Sequence, residues 1–269
     1  MTDTNLIKGD ALNRLDELEP KSFDLIFADP PYNLSGKGFV TCKNGKPVTC
    51  NKGEWDQIDD IHGFNRKWVE KCVRVLKDSG TIWISGTLHN HPSIGVVLKQ
   101  LGLWIINDIV WFKPNATPLL QTNRLAPSTE LIWLAGKTKK YYFNYALGKQ
   151  INEGKQMRNL WTLSAERHKT KHPTEKPEKL LERIILLGSK EGDNVLDPFM
   201  GSGTTGVVAK RLGRNFTGLE IDAEYFKIAK SRINHGQTGY KREKVESKQA
   251  EFVLNEKRKT GYKKVRVAV

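Results

Sequence analysis

A buried strand that stops at two prolines constrains the fold of this chain more than any other feature of its sequence. Residues 25–27 form a short apolar run typical of a central parallel strand, and Asp29 follows at its end. Pro30 and Pro31 cannot continue the strand pairing, because proline lacks an N–H group and has a fixed φ angle. In open α/β sheets, ligands bind beyond the carboxyl ends of the strands. The pattern predicts either that Asp29 and Tyr32 project into a ligand site or that they only cap and pack the turn.

Apolar patterns of strand and helix type alternate along the chain. Strands are predicted at residues 6–9, 24–29, 81–85, 104–112, 130–135, 195–196 and 216–220, and helices at residues 63–77, 94–101, 205–212 and 223–233 and from residue 177 onward. Such alternation is typical of a parallel sheet covered by helices. We therefore expect an α/β fold with a doubly wound, Rossmann-like sheet.

Composition narrows the class of protein. The chain has 269 residues, 38% of them hydrophobic, and seven tryptophans, which is enough for one sizeable core and a smaller appendage. The N-terminal MTDTNLIKGD lacks a secretory signal pattern and no apolar run approaches the length of a membrane span, so we expect a cytoplasmic protein without a membrane partner. Three cysteines without a C-x-x-C pair indicate reduced thiols, and no metal is expected.

The net charge of +14 is confined to two segments. Residues 110–177 hold twelve Lys and Arg against four Asp and Glu, and residues 236–269 hold ten against four, which leaves the rest of the chain neutral. A charge run is usually only a solvated face. A neutral body with two basic segments nevertheless favours a polyanionic partner.

A second strand ends in a glycine-rich turn, DPFMGSGTT, at residues 197–205. Gly201 and Gly203 allow a tight turn and a close approach of the backbone to a ligand, although a bare G-x-G is weak support. Glu220 ends the next strand, where dinucleotide folds place a ribose-binding carboxylate, or it is only the N-terminal charge of a helix. A nicotinamide cofactor is disfavoured, because the third glycine is missing and Asp197 would lie beside the pyrophosphate. A cofactor with a ribose and an ammonium but no phosphate, such as S-adenosylmethionine, fits better.

Four motifs together resemble those of amino-group DNA methyltransferases of the permuted β group, which act on adenine N6. They are DPPYNL at residues 29–34, DPFMGSGTT at residues 197–205, HPTEKP at residues 172–177 and KGD at residues 8–10. The resemblance covers residues 6–234 and implies a circularly permuted motif order, in which the N-terminal strand completes the cofactor pocket beside Glu220. It also implies an inserted basic target-recognition region.

The resemblance implies roles for the residues of these motifs. The catalytic residues would be Asp29, Pro30, Pro31 and Tyr32. The Asp29 carboxylate and the Pro30 carbonyl would accept the two N–H bonds of the target amine, and Tyr32 would stack on a base flipped out of the duplex. The cofactor, S-adenosyl-L-methionine, would be bound by Asp10, Asp29, Lys176, Asp197, Pro198, Phe199, Gly201, Ser202, Gly203, Thr204, Thr205 and Glu220.

The target base and the partner are less constrained. Asp29 at the first position of the DPPY motif implies adenine, with cytosine N4 as the nearest alternative. A non-catalytic nucleic-acid-binding module and a nicotinamide-dependent oxidoreductase are the alternatives from other classes. Double-stranded DNA is the expected partner, with single-stranded DNA and homodimer formation left open. The resemblance implies a restriction-modification or epigenetic context in a bacterial or archaeal cytosol, with the protein associated with the nucleoid. Specific contacts to a GATC- or GANTC-like site would come from Arg124, Lys139, Arg158 and Arg167.

The motif order divides the chain into four predicted regions. They are a catalytic half at residues 1–110, a target-recognition region at residues 111–171, a cofactor-binding half at residues 172–235 and a basic tail at residues 236–269. Residues 36–53, rich in Gly, Lys and Asn, are interpreted as a mobile loop, either a flap over DNA or a surface insertion. The tail is interpreted either as a basic arm for DNA or as a disordered segment.

Overall fold

The computed structural model describes residues 2–35, 40–43, 46–49, 53–116, 123, 125–165 and 175–235. The strands are β1 Thr4–Lys8, β2 Phe23–Ala28, β3 Val40–Lys43, β4 Lys46–Thr49, β5 Leu76–Gly86, β6 Trp104–Phe112, β7 Thr129–Gly136, β8 Leu160–Thr162, β9 Asn194–Asp197 and β10 Asn215–Glu220. The α-helices are α1 Ala11–Arg14, α2 Ile61–Val75, α3 His91–Gln100, α4 Tyr145–Ile151, α5 Glu178–Gly188, α6 Thr204–Arg211 and α7 Ala223–His235. Short 3₁₀ turns lie at Leu15–Glu17 and Glu54–Asp56. Within these residues, no helix is long and apolar enough to cross a membrane.

Eight strands form one sheet in the order β1, β10, β9, β2, β5, β7, β6, β8. Strand β1 pairs in parallel with β10, with Lys8 opposite Glu220, so the N-terminal strand lies beside the last strand of the sheet. This arrangement confirms the predicted α/β Rossmann-like fold and the permuted order of its motifs. Strands β3 and β4 form a separate antiparallel hairpin inside the segment that we interpreted as a loop.

The prediction of a parallel sheet is wrong for one strand. Strand β7 runs antiparallel to both of its neighbours, β5 and β6. A parallel neighbour needs a crossover connection, usually a helix, whereas an antiparallel one does not. The sequence shows no helical pattern between β6 and β7, which is consistent with their antiparallel pairing. Strand β7 is also a central strand of the main sheet, although it comes from the predicted target-recognition region.

Helices cover both faces of the sheet, which explains why β2 is apolar at successive positions. Leu25 and Phe27 face one core layer, which contains the apolar residues of α5. Ile26 and Ala28 face the other layer, which contains Trp68 of α2. Since both faces of β2 are buried, its carboxyl end is held rigidly at the edge of the sheet where Asp29 begins the turn.

Candidate active site

The Asp29 turn follows β2 directly and is mostly buried. Pro30, Pro31 and Tyr32 are buried, and the Tyr32 side chain is only 6% exposed. The Tyr32 hydroxyl donates to Asp29 Oδ1 at 2.5 Å and lies 3.4 Å from Ser85 Oγ at the end of β5. Burial raises the pKa of Tyr32 well above its usual value, and the neighbouring Asp29 carboxylate raises it further. Tyr32 is therefore a neutral donor that fixes the orientation of Asp29.

A buried carboxylate, Asp56, anchors the backbone that follows the two prolines. It accepts hydrogen bonds from four successive backbone N–H groups, those of residues 32–35, at 2.8 to 2.9 Å. The Ser35 hydroxyl donates to the same carboxylate at 2.9 Å. Asn33 takes a positive φ of 57°, and its side-chain amide exchanges two hydrogen bonds with the backbone of Ile58. These bonds tie the Asp29 turn to the chain that leads into α2.

A row of four alternating charges extends from the turn to the end of the neighbouring strands. Lys176 Nζ lies 2.7 Å from Asp29 Oδ2, 3.1 Å from the Tyr32 hydroxyl and 3.2 Å from Glu130 Oε2. Glu130 Oε1 accepts from Lys113 Nζ at 2.9 Å. Burial alone would lower the pKa of the Lys176 ammonium, but the Asp29 and Glu130 carboxylates outweigh it and hold that pKa well above its usual value. Burial would raise the pKa of Glu130, but the two lysines outweigh it and lower that pKa.

A cavity of about 370 Å³ opens beside the Asp29 turn at the carboxyl ends of β1, β2, β9 and β10. The sequence-predicted site residues that line it are Asp10, Asp29, Pro30, Pro31, Tyr32, Pro198, Phe199, Gly201 and Glu220. Further lining residues that the sequence analysis did not single out are Gly9, Ala11, Leu12, Trp55, Gln57, Ile58, Phe64, Leu219, Ile221 and Tyr225. Most of these flank a predicted residue, and Phe64 belongs to the helix predicted at residues 63–77. Trp55, Gln57 and Ile58 carry no sequence signal, since they follow the poorly patterned segment at residues 36–53.

Two acids from opposite ends of the sequence meet in this cavity. The backbone N–H of Gly9 donates to the Glu220 carbonyl at 2.9 Å, which places Asp10 next to Glu220. The Glu220 carboxylate accepts from the backbone N–H groups of Gly201 and Asp222, each at 2.8 Å. Burial raises the pKa of Glu220. Since the described lining includes no lysine or arginine, the cavity suits a ligand with ribose hydroxyls and a positive charge, and it offers no cation for a phosphate.

Five predicted cofactor residues support the glycine-rich turn and do not line the cavity. Asp197, with 2% of its surface exposed, accepts from the Thr205 hydroxyl at 2.5 Å and from the Phe199 N–H at 3.0 Å. Burial raises the pKa of Asp197 to about 7. Ser202 and Thr204 receive hydrogen bonds from Arg232 of α7.

Gly203 also faces away from the cavity. It has a φ of 82°, and a Cβ atom there would lie 2.9 Å from the Cβ of Ala229 in α7. We expected Gly203 to let the backbone approach the cofactor. The structure shows that α6 and α7 can pack together here because Gly203 has no side chain, and the role of Gly203 at the cofactor stays a prediction.

Lys176, a further predicted cofactor residue, also lies outside the cavity lining and contacts Asp29, Tyr32 and Glu130 instead. Its position just before α5 brings its ammonium group into contact with the Asp29 turn. The HPTEKP motif identified Lys176 as a candidate site residue. The sequence did not predict that Glu130 would contact Lys176 or that Lys113 would contact Glu130.

Two of the four predicted DNA-binding residues, Lys139 and Arg158, belong to the described part of the chain. Gly136, at the end of β7, pairs with Thr81, which pairs in turn with Leu25 near the start of β2, so Lys139 lies beyond the edge of the sheet opposite to the Asp29 turn. Its ammonium is 4.7 Å from the ring centroid of Trp104. Arg158 is exposed just before the edge strand β8. Arg124, Arg167, residues 172–174 and the tail at residues 236–269 lie outside the described residues.

Comparisons with known proteins agree with this geometry. A family model described as DNA methylase matches residues 23–231. The Type II methyltransferase M2.DpnII of Streptococcus pneumoniae is 50% identical over 238 residues, which cover 85% of this chain and 88% of that protein. M2.LlaDCHI of Lactococcus lactis subsp. cremoris, also named a Type II methyltransferase, is 49% identical over 243 residues, which cover 87% and 90%.

Solved structures give the same result. The M1.HpyAVI–SAM complex has a TM-score of 0.65 and 30% identity, and the match covers 86% of this chain and 99% of that one. The PvuII DNA methyltransferase, which is cytosine-N4-specific, has a TM-score of 0.68 at 19% identity over 95% and 93% of the chains, a likeness of fold alone. The chain therefore belongs to the DNA methylase family, which includes enzymes of adenine N6 and of cytosine N4, and it is a DNA methyltransferase whose cofactor is S-adenosylmethionine.

Proposed function

We propose that this methyltransferase acts on the N6 amino group of adenine in double-stranded DNA, as the modification enzyme of a restriction-modification system. The observation that carries the proposal is the position of the Asp29 carboxylate, which lines the cavity and is held in place by Tyr32 and Lys176. The relatives named Type II methyltransferases support the biological context. Cytosine N4 is the alternative target, since the family includes both activities.

The turn offers the acceptors that methylation of an aromatic amine needs. The lone pair of such an amine is delocalised into the base, so the amine must be oriented before it can attack. We assign this to Asp29 and to the Pro30 carbonyl, which accept one N–H bond each and direct the lone pair at the methyl group. The amine nitrogen forms a new N–C bond to the methyl carbon. The bond between that carbon and the sulfur breaks, and its electrons stay on the sulfur. The methylated nitrogen then loses one proton. No covalent enzyme intermediate is needed.

Tyr32 and the cavity walls supply the remaining contacts. The Tyr32 ring would stack on the flipped base, which repays part of the few kcal/mol that flipping costs. Asp10 and Glu220 would bind the cofactor's adenosine, with Gly201, Pro198 and Phe199 along the same wall. The sulfonium would then lie near Asp29, because one continuous cavity connects these groups.

Recognition of the DNA sequence remains assigned to residues 111–171. Among the four residues predicted to contact DNA, Arg158 is described by the structure and remains a candidate. The DNA contacts of Arg124 and Arg167 stay predictions. The position of Lys139 at the opposite edge of the sheet argues against its contact with the same DNA. Binding to single-stranded DNA, homodimer formation and the roles of residues 36–53 and 236–269 also stay predictions.

The target base is tested by nucleoside analysis. Unmethylated genomic DNA is incubated with the enzyme and labelled S-adenosylmethionine, digested to nucleosides and separated. We expect label in N6-methyladenine, with Asp29→Ala as the inactive control. Label in N4-methylcytosine would overturn the proposed target, and an absence of labelled nucleosides with a folded, cofactor-binding enzyme would overturn the proposed reaction on DNA.

A further inference from the structure

A row of four alternating charges lies next to the Asp29 turn. Lys113, Glu130, Lys176 and Asp29 come from four separate parts of the chain, after β6, on β7, before α5 and after β2. Their side chains are 18%, 16%, 7% and 16% exposed, and each lies within 3.2 Å of the next. Only Asp29 at the end of the row lines the cavity, so Glu130 can reach the reacting groups only through Lys176.

We propose that Glu130 is a positioning residue for methyl transfer: it balances the charge of Lys176, so that Lys176 can clamp Asp29 without cancelling the negative charge that the reaction requires. The proposal rests on the proposed function of Asp29 as an acceptor for the target amine. It assigns a role to a residue outside every motif of the sequence.

The role of Glu130 follows from the movement of charge during the reaction. Methyl transfer moves the positive charge of the sulfonium onto the attacking amine nitrogen, which lies against Asp29 in the proposed geometry. The Lys176 ammonium lies 2.7 Å from the same carboxylate and would repel this positive charge if no other charged group offset it. A second carboxylate, Glu130, at 3.2 Å from the ammonium offsets this repulsion and leaves the Asp29 side of the row negative.

Lys176 is nevertheless needed, because it holds Asp29 in place. Its ammonium donates to Asp29 Oδ2 while the Tyr32 hydroxyl donates to Oδ1, so each oxygen is fixed by a different donor. The same ammonium contacts the Tyr32 hydroxyl and thereby joins the stacking residue to the acceptor. The raised pKa of Lys176 and the lowered pKa of Glu130 keep both groups charged at neutral pH.

A buried ion pair can also be merely structural, and substitutions separate the two roles. Replacing one member leaves a buried charge uncompensated, which destabilises the fold, whereas replacing both with neutral residues often restores stability. The variants are Glu130→Gln, Lys113→Met and the double variant of these two, which leaves Lys176 and Asp29 paired, with Glu130→Asp as the conservative variant. The control is the pair Asp24 and Lys77, joined at 2.8 Å at the opposite end of β2 and replaced as Asp24→Asn with Lys77→Met.

Four quantities are measured on each variant of the full chain: the midpoint of thermal unfolding, the Kd for S-adenosylmethionine, the Kd for DNA and the single-turnover rate of methyl transfer. We expect Glu130→Gln to lower the rate by about 100-fold, with both Kd values within about threefold of wild type. Glu130→Asp should recover part of the rate. The double variant should regain the stability lost by each single variant but stay about 30-fold or more below the wild-type rate. The control pair should change stability alone.

Two results would overturn the inference. One is a folded Glu130→Gln enzyme with a rate within about threefold of wild type. The other is a double variant that regains the rate together with the stability, which would make the row a structural element only. If Asp29→Ala abolishes transfer while Glu130→Gln does not affect it, this inference alone fails; if Asp29→Ala remains active, the proposed function fails as well.

Discussion

The Tyr32 hydroxyl donates a hydrogen bond to Asp29 Oδ1 across 2.5 Å, so the two polar residues that flank the prolines hold each other in place. Tyr32 therefore has two separable parts, a ring for stacking and a hydroxyl for orienting Asp29. The following predictions separate these and other roles that the geometry assigns.

Tyr32→Phe keeps the ring and removes the hydroxyl that contacts Asp29 and Lys176. We expect the single-turnover rate to fall by about tenfold with little change in DNA affinity. Tyr32→Ala should lose stacking worth about 1 to 3 kcal/mol in addition. Fluorescence of a 2-aminopurine target base reports the stacking. If the Phe variant were as impaired in stacking as the Ala variant, the ring would not be the part of Tyr32 that contacts the base.

Asp56→Asn should damage both the fold and the reaction. The substituted amide presents an NH₂ group to two of the four backbone N–H groups that the carboxylate now satisfies, so we expect a loss of about 2 to 3 kcal/mol in the free energy of unfolding. The methyl-transfer rate should fall too, because the Tyr32 backbone loses its anchor. Asp60→Asn is the matched control, since Asp60 is exposed and caps α2, where Asn serves as well as Asp. Equal effects of the two substitutions in denaturant unfolding would contradict the role of Asp56.

Gly203→Ala and Glu220→Ala should affect different properties. At Gly203 the positive φ and the 2.9 Å approach to Ala229 predict a loss of stability of about 1 to 3 kcal/mol, with an unchanged Kd for the cofactor in the folded enzyme. Glu220→Ala should instead weaken cofactor binding by about tenfold or more, because a buried acceptor is lost from the cavity. Titration calorimetry together with thermal unfolding distinguishes the two. Weaker cofactor binding by a stable Gly203→Ala enzyme would show that this glycine contacts the cofactor.

The buried Asp197 should make stability depend on pH. Burial raises its pKa to about 7 in the folded state, whereas the unfolded chain has the ordinary value near 3.8. The folded state therefore binds more protons between these values, and the stability contributed by the protonated group is complete below pH 3.8 and is lost as the pH rises towards 7. The slope is at most about 1.4 kcal/mol per pH unit. Asp197→Asn should remove this slope in urea unfolding measured from pH 4 to pH 8. If the free energy of unfolding differed between wild type and variant by the same amount at every pH in this range, that result would contradict the raised pKa.

Sequence patterns predicted the elements that are regular and local. The strand at β2, the glycine-rich turn after β9 and the acid at Glu220 were all placed correctly, because each combines an apolar run with a residue that ends it. The parallel pairing of β1 with β10 followed from the motif order rather than from periodicity. The reversed direction of β7 was missed, since strand periodicity is the same in both directions.

The parts of the site that sequence could not predict depend on contacts between distant segments. Asp56 stands in an unpatterned stretch, and only the folded chain shows its carboxylate under the turn at residues 32–35. Glu130 reads as an ordinary strand residue until the structure places it against Lys176. Gly203 shows a further contact that the sequence did not predict: this motif residue packs against α7, while its role at the cofactor stays a prediction.

The central claim is that Asp29 acts on the target amine rather than on the cofactor or on the fold. The most direct measurement is the single-turnover rate of methyl transfer by Asp29→Ala at saturating DNA, with the Kd for S-adenosylmethionine determined on the same preparation. We predict a fall in rate of at least about 100-fold, which corresponds to about 3 kcal/mol in the barrier, while the cofactor Kd changes by less than about tenfold. A folded Asp29→Ala enzyme that transfers methyl groups within about tenfold of the wild-type rate would contradict the account.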